Sequence, residues 1–363
     1  MKALSLYIHV PFCQHKCHYC DFYSIEDPKK MDDYVKAVKR SIIYHSRTLK
    51  TTHKIETIYF GGGTPNLLST QHLSSVLKAV KDNFMMREDP EITIEINPEF
   101  SNKEGSLQDL KNIGFNRLSI GIQSLNDDEL QFLGRLHSAE TAITCLRNAR
   151  NIFNNLSVDI IYAIPGQSAQ SLQETLNGIL QFDPEHISAY NLTSEEGTPY
   201  ARMIDNAEVS KPDEDVEIDF FYNIHDQLTL HAYEHYEVSN YAKTGKKSQH
   251  NSSYWKDQDY LGIGPSAHSR IGGERFAYRA DLQTFLDDPE HFYEKDSVTE
   301  ADTLITRLRC SEGLNRDAVS PETWQNLIKY DQKHPEWFTC SENTISCTLK
   351  GWLFLDTILL DLI

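Results

Sequence analysis

The 363-residue sequence lacks several features that would each indicate a particular class of protein. No run of about 18 to 20 uncharged apolar residues occurs, so a membrane-spanning helix is not expected. The N-terminus, Met1 to Leu6, has neither the apolar segment nor the cleavage site of a secretory signal, which favours the cytoplasm. Positive charge is scarce, with 35 Lys plus Arg against 53 Asp plus Glu. The formal net charge of -18 opposes binding to a nucleic-acid backbone.

The cysteine count is odd, which opposes a fully paired disulfide framework. Three of the seven cysteines, Cys13, Cys17 and Cys20, fall within eight residues, and in a reducing compartment such a group indicates a metal site. Thiolates select soft metals, so zinc and an iron-sulfur cluster are both candidates. A structural zinc site needs four ligands, and His15 or His18 could supply the fourth. Three cysteines on a four-iron cluster would instead leave one iron without a protein ligand.

Short apolar segments typical of buried strands alternate with segments of helical periodicity in the first half of the chain. Strands are predicted at 6–10, 57–60, 92–96, 118–122, 158–162 and 187–190, and helices at 34–49, 73–84, 141–153 and 172–182. The alternation predicts parallel strands joined by crossover helices, as in an α/β partial (βα)6 barrel of the TIM-like type. In such barrels the functional groups gather at the C-terminal ends of the strands.

The pattern changes after residue 200, and the length of the chain exceeds that at which a single core usually stops growing. We therefore predict three parts: a barrel with the cluster and cofactor site at 1–200, a connecting region at 201–296, and a small mixed C-terminal domain at 297–363. The connecting region begins with an acidic helix at 213–232 and a short strand at 235–238. In the C-terminal domain, residues 337–339 are predicted to pair with residues 345–347 as a hairpin.

Polar residues occur on or just after the predicted strands. Glu95 lies in the third strand, Gln123 ends the fourth, and Asp159 lies in the fifth. Burial of such groups costs roughly a few kcal/mol unless each finds a hydrogen-bond partner. They therefore form an internal polar network or line the barrel mouth and bind a ligand. The triplet Gly61–Gly63, which precedes Thr64, either makes a tight turn or lets a ligand approach the backbone closely.

The Cys-x3-Cys-x2-Cys spacing after a first barrel strand resembles the signature of the radical S-adenosylmethionine (SAM) family. The resemblance implies that Cys13, Cys17 and Cys20 hold a 4Fe-4S cluster whose unique iron binds the amino and carboxylate groups of SAM. It also implies reductive cleavage of SAM to a 5'-deoxyadenosyl radical, with the electron supplied by a donor. The positions that match SAM-contacting residues of the family are Tyr7, Gly62, Gly63, Thr64, Glu95, Gln123, Arg135, Asp159 and Thr193.

Over residues 4–360 the sequence resembles more closely the group that contains oxygen-independent coproporphyrinogen III oxidase and the HemW-type heme chaperones. Three features favour the chaperones. Phe22 stands where the oxidases have a fourth cysteine, and His250 begins the motif His-Asn-x-x-Tyr-Trp that is associated with the chaperones. The first predicted strand also begins so close to Met1 that no room is expected for the additional N-terminal segment of the oxidases.

The resemblance therefore implies a heme chaperone that binds heme, with His250 as the heme ligand, and passes it to heme-requiring membrane or respiratory proteins. From the residue types alone, the alternative is that His250 is a hydrogen-bonded histidine and that Tyr254 and Trp255 are packing residues. Delivery to such proteins allows a peripheral association with the membrane, and the family allows a homodimer. The alternative is oxidative decarboxylation of coproporphyrinogen III, and chaperoning is favoured over this enzymatic activity. A zinc-stabilised binding module is the third interpretation.

Overall fold

The computed structural model describes residues 1–101 and 106–363. Its strands are β1 (Lys2–Val10), β2 (His53–Gly62), β3 (Met86–Ile96), β4 (Arg117–Gln123), β5 (Leu156–Tyr162), β6 (His186–Asn191), β7 (Glu234–Glu237), β8 (Asn240–Ala242), β9 (Asp259–Ile263), β10 (His268–Ile271), β11 (Glu274–Ala277), β12 (Glu294–Ser297), β13 (Leu314–Asn315), β14 (Phe338–Cys340) and β15 (Thr344–Cys347). Its helices are α1 (Met31–Leu49), α2 (Thr70–Asn83), α3 (Pro98–Ser101), α4 (Ser106–Ile113), α5 (Asp127–Phe132), α6 (Ala139–Ile152), α7 (Ala169–Leu180), α8 (Pro199–Asp205), α9 (Glu214–Leu230), α10 (Gln249–Trp255), α11 (Leu282–Asp287), α12 (Glu300–Leu308), α13 (Pro321–Lys333), α14 (Leu349–Leu353) and α15 (Leu355–Leu362).

Strands β1 to β6 lie side by side in chain order, and each pairs in parallel with the next. Helices cross from one strand to the following one, so the predicted partial (βα)6 barrel and its six strands are confirmed. The four predicted helices are α1, α2, α6 and α7, each of which begins two or three residues earlier than predicted. Three of these helices start early because a serine, Ser69, Ser138 or Ser168, caps the N-terminus through its side chain.

Strand β3 shows how the sequence sorts its side chains between the two faces of the sheet. Ile92, Ile94 and Ile96 are buried in the apolar core that lies under the helices. Thr93 and Glu95 alternate with them and face the inside of the barrel, because successive strand residues point to opposite faces. The inside of the barrel is therefore polar, whereas the outside packs against helices.

The sheet continues beyond the barrel strands at both edges. Strand β9 pairs in parallel with the outer edge of β1, and β10, β11 and β12 follow it in antiparallel order. At the other edge β8 pairs antiparallel with β6, and β7 with β8. Twelve strands of the described residues thus share one sheet, which crosses the boundary predicted at residue 200.

The C-terminal segment has its own small sheet, in which β15 lies between β13 and β14. Phe338 pairs with Cys347, and Cys340 pairs with Ile345, so the predicted hairpin is present. Helices α12 to α15 accompany this sheet. Among the described residues, no helix is both long enough and apolar enough to span a bilayer.

His45 of α1 provides a test of the packing between this helix and the far edge of the sheet. Its Nε2 lies 2.9 Å from Tyr278 Oη, its ring stacks on Phe292, and burial lowers its pKa from 6.5 to about 4. Above pH 6.5 the ring is neutral in both the folded and the unfolded chain. Between pH 6.5 and about 4 the unfolded chain takes up a proton that the folded chain does not. The free energy of unfolding therefore decreases as the pH is lowered through this range.

We expect the free energy of unfolding of His45→Gln to fall less steeply than that of wild type between pH 6.5 and about 4, with a difference of roughly 3 kcal/mol at the lower limit. Urea unfolding at a series of pH values measures this difference. Equal slopes for wild type and His45→Gln would contradict the assignment.

Candidate cluster and cofactor site

The three cysteines lie on the loop that follows β1. Two backbone hydrogen bonds close the base of this loop: Cys13 N donates to Ile25 O at 2.9 Å, and Ile25 N donates to Pro11 O at 2.7 Å. All three thiols are partly exposed. Burial raises the pKa of Cys13, and it raises that of Cys20 to about 11. Because thiolates bind metals, loading of this loop releases protons.

A set of polar contacts joins Cys13 to Cys17 across the ends of the strands. Thr64 Oγ1 lies 3.7 Å from Cys13 Sγ and accepts a hydrogen bond from Asn97 Nδ2 at 3.2 Å. Arg135 Nη2 donates to Asn97 Oδ1 at 2.8 Å, and Arg135 Nη1 lies 3.5 Å from Cys17 Sγ. A guanidinium therefore lies beside the Cys17 thiol. Thr64 and Arg135, both predicted site residues, therefore lie directly at the cysteines.

The middle of the cysteine loop is held by the segment that follows α5. His18 N donates to Leu133 O at 3.1 Å, and His18 Nδ1 lies 2.7 Å from Phe132 O. Gly134 has a φ of 75°, and a Cβ there would lie 3.0 Å from the His18 ring. Glycine thus permits this close approach and brings the next residue, Arg135, to the cysteines.

The glycine loop after β2 packs against the start of the cysteine loop. Gly62 has a φ of 107°, and a Cβ there would lie only 2.5 Å from the His9 ring. A Cβ on Gly63 would lie 2.6 Å from Phe12 O, and Thr64 N donates to the same oxygen at 2.7 Å. A side chain is therefore excluded at Gly62 by the His9 ring and by the positive φ, and at Gly63 by the backbone of the cysteine loop.

Glu95 lies beneath the glycine loop. Its carboxylate accepts a hydrogen bond from Tyr59 Oη at 2.8 Å and one from Gly62 N at 3.1 Å. Burial raises its pKa to about 7, although the two hydrogen bonds and Arg117 act in the opposite direction. Near neutral pH this carboxyl group is divided between its two protonation states.

Asp159 lies on β5, two strands along the sheet from Glu95 on β3. Ser119 Oγ donates to Asp159 Oδ2 at 3.1 Å, and burial raises the pKa of the carboxyl group while Ser188 and Arg117 lower it. Both carboxylates thus have partners within the barrel wall, which fits the polar network that the sequence left open as an alternative. They also face the inside of the barrel, where a ligand could reach them.

Gln123 ends β4 in a strained backbone conformation. Its φ is 66°, a region that residues with a side chain rarely adopt, and the pairing with β5 shifts register there. A Cβ on Gly121 would lie 3.0 Å from Gln123 Nε2 and 3.3 Å from Arg135 Nη2. The amide of Gln123 and the guanidinium of Arg135 thus both lie beside the Gly121 backbone. Such strain occurs preferentially at functional sites.

The remaining predicted residues differ in how close they lie to this group. Tyr7 is in the barrel, with its hydroxyl 3.1 Å from His9 Nδ1 and its ring centroid 6.1 Å from that of Tyr59. Thr193 is exposed and follows the end of β6 by two residues. The structure shows no contact that joins Thr193 to the other predicted residues within the described part of the chain.

His250 lies at the opposite, N-terminal end of the barrel. It is 1% exposed, its Nδ1 lies 2.7 Å from Thr57 Oγ1, and its Nε2 lies 2.7 Å from Tyr254 Oη. An imidazole needs a free lone pair to bind iron, and both nitrogens are occupied here. Heme ligation by His250 therefore stays a prediction, and it requires these bonds to break and the ring to become exposed.

Three residues of the site were not predicted from the sequence. Asn97 joins Thr64 to Arg135, Tyr59 donates to Glu95, and His9 packs against Gly62. The available signal was the period of two in a strand, since Asn97 follows Glu95 by two residues and thus shares its face. The contacts themselves depend on distances between strands that a single sequence does not contain.

Comparison with known proteins places these features in a class. A model of the radical SAM superfamily matches residues 7–179, which include the end of β1, the cysteine loop and β2 to β5. The solved structure of coproporphyrinogen III oxidase (HemN) from Escherichia coli superposes with a TM-score of 0.83, and it covers 99% of this chain and 90% of that one. At 24% identity this likeness shows the fold alone.

Closer sequence relatives are found among curated proteins. The heme chaperone HemW of Bacillus subtilis is 35% identical over 78% of this chain and 75% of its own length. HemW of Haemophilus influenzae is 32% identical over 97% and 94%, and the mitochondrial radical SAM domain-containing protein 1 of Mus musculus is 37% identical over 97% and 82%. The chain therefore belongs to the radical SAM superfamily and, within it, to the HemW family.

Membership of the superfamily implies a 4Fe-4S cluster and SAM. The donor set fits the cluster, because three thiols share one short loop with a guanidinium beside Cys17. It also fits SAM, because the loop meets a backbone without side chains at Gly62 and Gly63 and two carboxylates below them. Within residues 1–101 and 106–363, no three His, Cys, Asp or Glu side chains are already gathered as ligands for a metal ion.

The first prediction for this site concerns iron. We expect Cys17→Ala to lose most of its iron after anaerobic reconstitution, because one of three thiolate ligands is gone. Cys340→Ala, which removes an exposed cysteine of β14, is the control and should keep its iron. Iron, sulfide and zinc analysis of the purified proteins measures the result. Wild type that contains zinc and no iron would contradict the assignment.

The second prediction concerns the glycine loop. Gly62→Ala should weaken SAM binding at least tenfold, because the new methyl group clashes with the His9 ring and pushes the glycine loop away from it. Gly166→Ala is a matched control: Gly166 also has a positive φ, of 83°, yet nothing lies within 4 Å of its Cβ position. Both variants should lose about 1 kcal/mol of stability to backbone strain. Equilibrium dialysis of the reconstituted proteins separates the two effects, and equal SAM affinities would contradict the role of Gly62.

Proposed function

We propose that this protein is a heme chaperone, which binds heme and, with its 4Fe-4S cluster and SAM, delivers it to heme-requiring membrane or respiratory proteins. The chain belongs to the HemW family, and the observation that supports the proposal is the identity of residue 22. Phe22 stands where the oxidases have a fourth cysteine, and its side chain is 61% exposed beside the cysteine loop. A phenyl ring cannot ligate iron, so that part of the oxidase pattern is missing.

The proposed role of the site residues follows from their contacts. Cys13, Cys17 and Cys20 would hold three irons of the cluster. When bound, the cluster and SAM supply one-electron reductive chemistry. Arg135, 3.5 Å from Cys17 Sγ, places a positive charge beside the thiolates and is suited to bind the carboxylate of SAM.

The barrel wall would bind the rest of SAM. Glu95 and Asp159 offer carboxylate oxygens that can accept hydrogen bonds from ribose hydroxyls. The backbone at Gly62 and Gly63 would meet the methionyl end, and Gln123 would contact the ligand from β4. Tyr7 and Thr193 are proposed SAM contacts on the resemblance alone.

The proposal extends to the surroundings of the protein. The barrel at 1–200 would hold the cluster and SAM, the region at 201–296 would complete its sheet, and residues 297–363 would form a small C-terminal domain that contacts this region through Arg309. An electron donor would reduce the cluster, and heme-accepting proteins would meet the chain in the cytoplasm or at the membrane surface. A homodimer is compatible with this function.

Two measurements on the same preparation test the function. We expect titration of the reconstituted protein with heme to give a saturable change in Soret absorbance at stoichiometric heme. Incubation with coproporphyrinogen III, SAM and reductant should yield no decarboxylated product at a useful rate. Rapid product formation would replace the chaperone assignment with the oxidase, and failure of heme to saturate would remove heme binding.

The heme ligand is tested in the same titration. If His250 binds the iron, His250→Ala and His250→Gln both lose affinity, since neither side chain replaces an imidazole. His268 of β10 is exposed, and His268→Ala tests a second candidate ligand. Loss of affinity in His268→Ala alone would assign the ligand there.

A further inference from the structure

The helix α10 contains the whole His-Asn-x-x-Tyr-Trp motif, and we call it the base helix. It covers the N-terminal end of the barrel, because Glu91 of β3 accepts hydrogen bonds from His250 N at 3.0 Å and Gln249 N at 3.3 Å. Ser248 caps the same end through Asn251 N at 3.3 Å. The base helix is thus attached to the strand that carries Glu95, four residues further along.

His250 connects the base helix to the cofactor site through Tyr59. The two rings stack with centroids 5.0 Å apart and an interplanar angle of 26°. Tyr59 Oη donates to Glu95 Oε1 at 2.8 Å, and Glu95 Oε2 accepts from Gly62 N at 3.1 Å. One stack and two hydrogen bonds therefore lead from His250 to the glycine loop.

The polar atoms of His250 hold its ring in this position. Nδ1 lies 2.7 Å from Thr57 Oγ1 on β2, two residues before Tyr59, and Nε2 lies 2.7 Å from Tyr254 Oη on the base helix itself. Tyr254 in turn packs edge-on against Tyr260 of β9, with centroids 4.6 Å apart. With hydroxyl partners at both nitrogens, the imidazole orientation is fixed.

The last residue of the motif attaches the base helix to the C-terminal segment. The Arg309 guanidinium lies 4.2 Å above the Trp255 ring. The same guanidinium pairs with Glu237, which is fully buried, at 2.9 and 3.0 Å. A buried carboxylate without this partner would carry a large desolvation penalty, so the contact is stable. The motif residues His250, Tyr254 and Trp255 all make structural contacts.

We infer that His250 is a positioning residue for SAM: the base helix holds the Tyr59 ring, Tyr59 orients the Glu95 carboxylate, and Glu95 fixes the glycine loop that binds the cofactor. This inference rests on the SAM site proposed above and is independent of heme binding. The motif would thus raise the affinity for SAM without contacting SAM itself.

The test measures SAM affinity of the anaerobically reconstituted protein by equilibrium dialysis, with iron content as a check on the cluster. His250→Ala removes the support of Tyr59 and should weaken SAM binding about tenfold, the effect of one misplaced charge-assisted hydrogen bond. His250→Gln keeps a donor and an acceptor for Thr57 and Tyr254 but loses the ring that stacks on Tyr59, so its SAM affinity should lie between those of wild type and His250→Ala. The exposed His291→Ala is the control and should bind SAM as wild type does.

Tyr59→Phe tests the same path one step closer to the cofactor. It keeps the stacked ring and removes the hydrogen bond to Glu95, so SAM affinity should again fall about tenfold. Because both substitutions act through that bond, His250→Ala combined with Tyr59→Phe should be no weaker than Tyr59→Phe alone. If His250→Ala does not fold, Tyr254→Phe takes its place, and it should weaken SAM binding a few-fold.

Several results would overturn the inference. The inference fails if His250→Ala, or Tyr254→Phe where that variant is used, binds SAM as tightly as wild type. It also fails if the losses in the double variant are additive. SAM affinity in His250→Gln equal to that of wild type would show that the ring stacked on Tyr59 does not position it, which would also overturn the inference. The heme titration is a separate readout. If both His250 variants lose heme binding while their SAM affinity is unchanged, His250 is assigned to heme instead. If wild type itself does not bind heme, the proposed function fails, but the SAM test still applies.

Discussion

Two backbone hydrogen bonds attach the cysteine loop to the glycine loop, from Gly63 N to Val10 O at 2.8 Å and from Thr64 N to Phe12 O at 2.7 Å. Neither bond could form if Gly63 carried a side chain, because its Cβ would lie 2.6 Å from Phe12 O. The thiols and the cofactor loop therefore share one rim of the barrel. Thr64, which this contact holds, in turn meets Asn97, and Asn97 meets Arg135.

Beneath that rim the barrel has an unusual interior for a parallel sheet, since charged groups replace the aliphatic layers that commonly fill such barrels. Arg117 is only 1% exposed and lowers the pKa of both Glu95 and Asp159. Burial nevertheless dominates, and the pKa of Glu95 rises to about 7. A positively charged ligand at the rim would favour the ionised carboxylate, so binding of a cation and loss of a proton are linked there.

The sequence allowed prediction of the features that depend on local periodicity and of the polar residues that lie at or near the C-terminal ends of strands. The six strands and four helices, and the positions of Thr64, Glu95 and Asp159 on or just after strands, belong to this group, whereas Arg135 was found through the family resemblance. Strands β9 and β8 could not be placed, because they are short and pair with strands far away in the chain. The motif at His250 was recognised, but residue types alone did not show that its imidazole points inward and is fully hydrogen-bonded.

The pairing of β1 with β9 bears on how the protein is made. Leu4 pairs with Asp259 and Ile8 with Ile263, so the outer edge of the first strand stays unpaired until residues much later in the chain have been synthesised. At about 5 to 20 residues per second, that delay is on the order of 10 to 50 s on the ribosome. Until then β1 exposes an unpaired edge directly before the cysteine loop. We therefore expect cluster insertion to follow translation, when the thiols have a completed scaffold and are less open to oxidation.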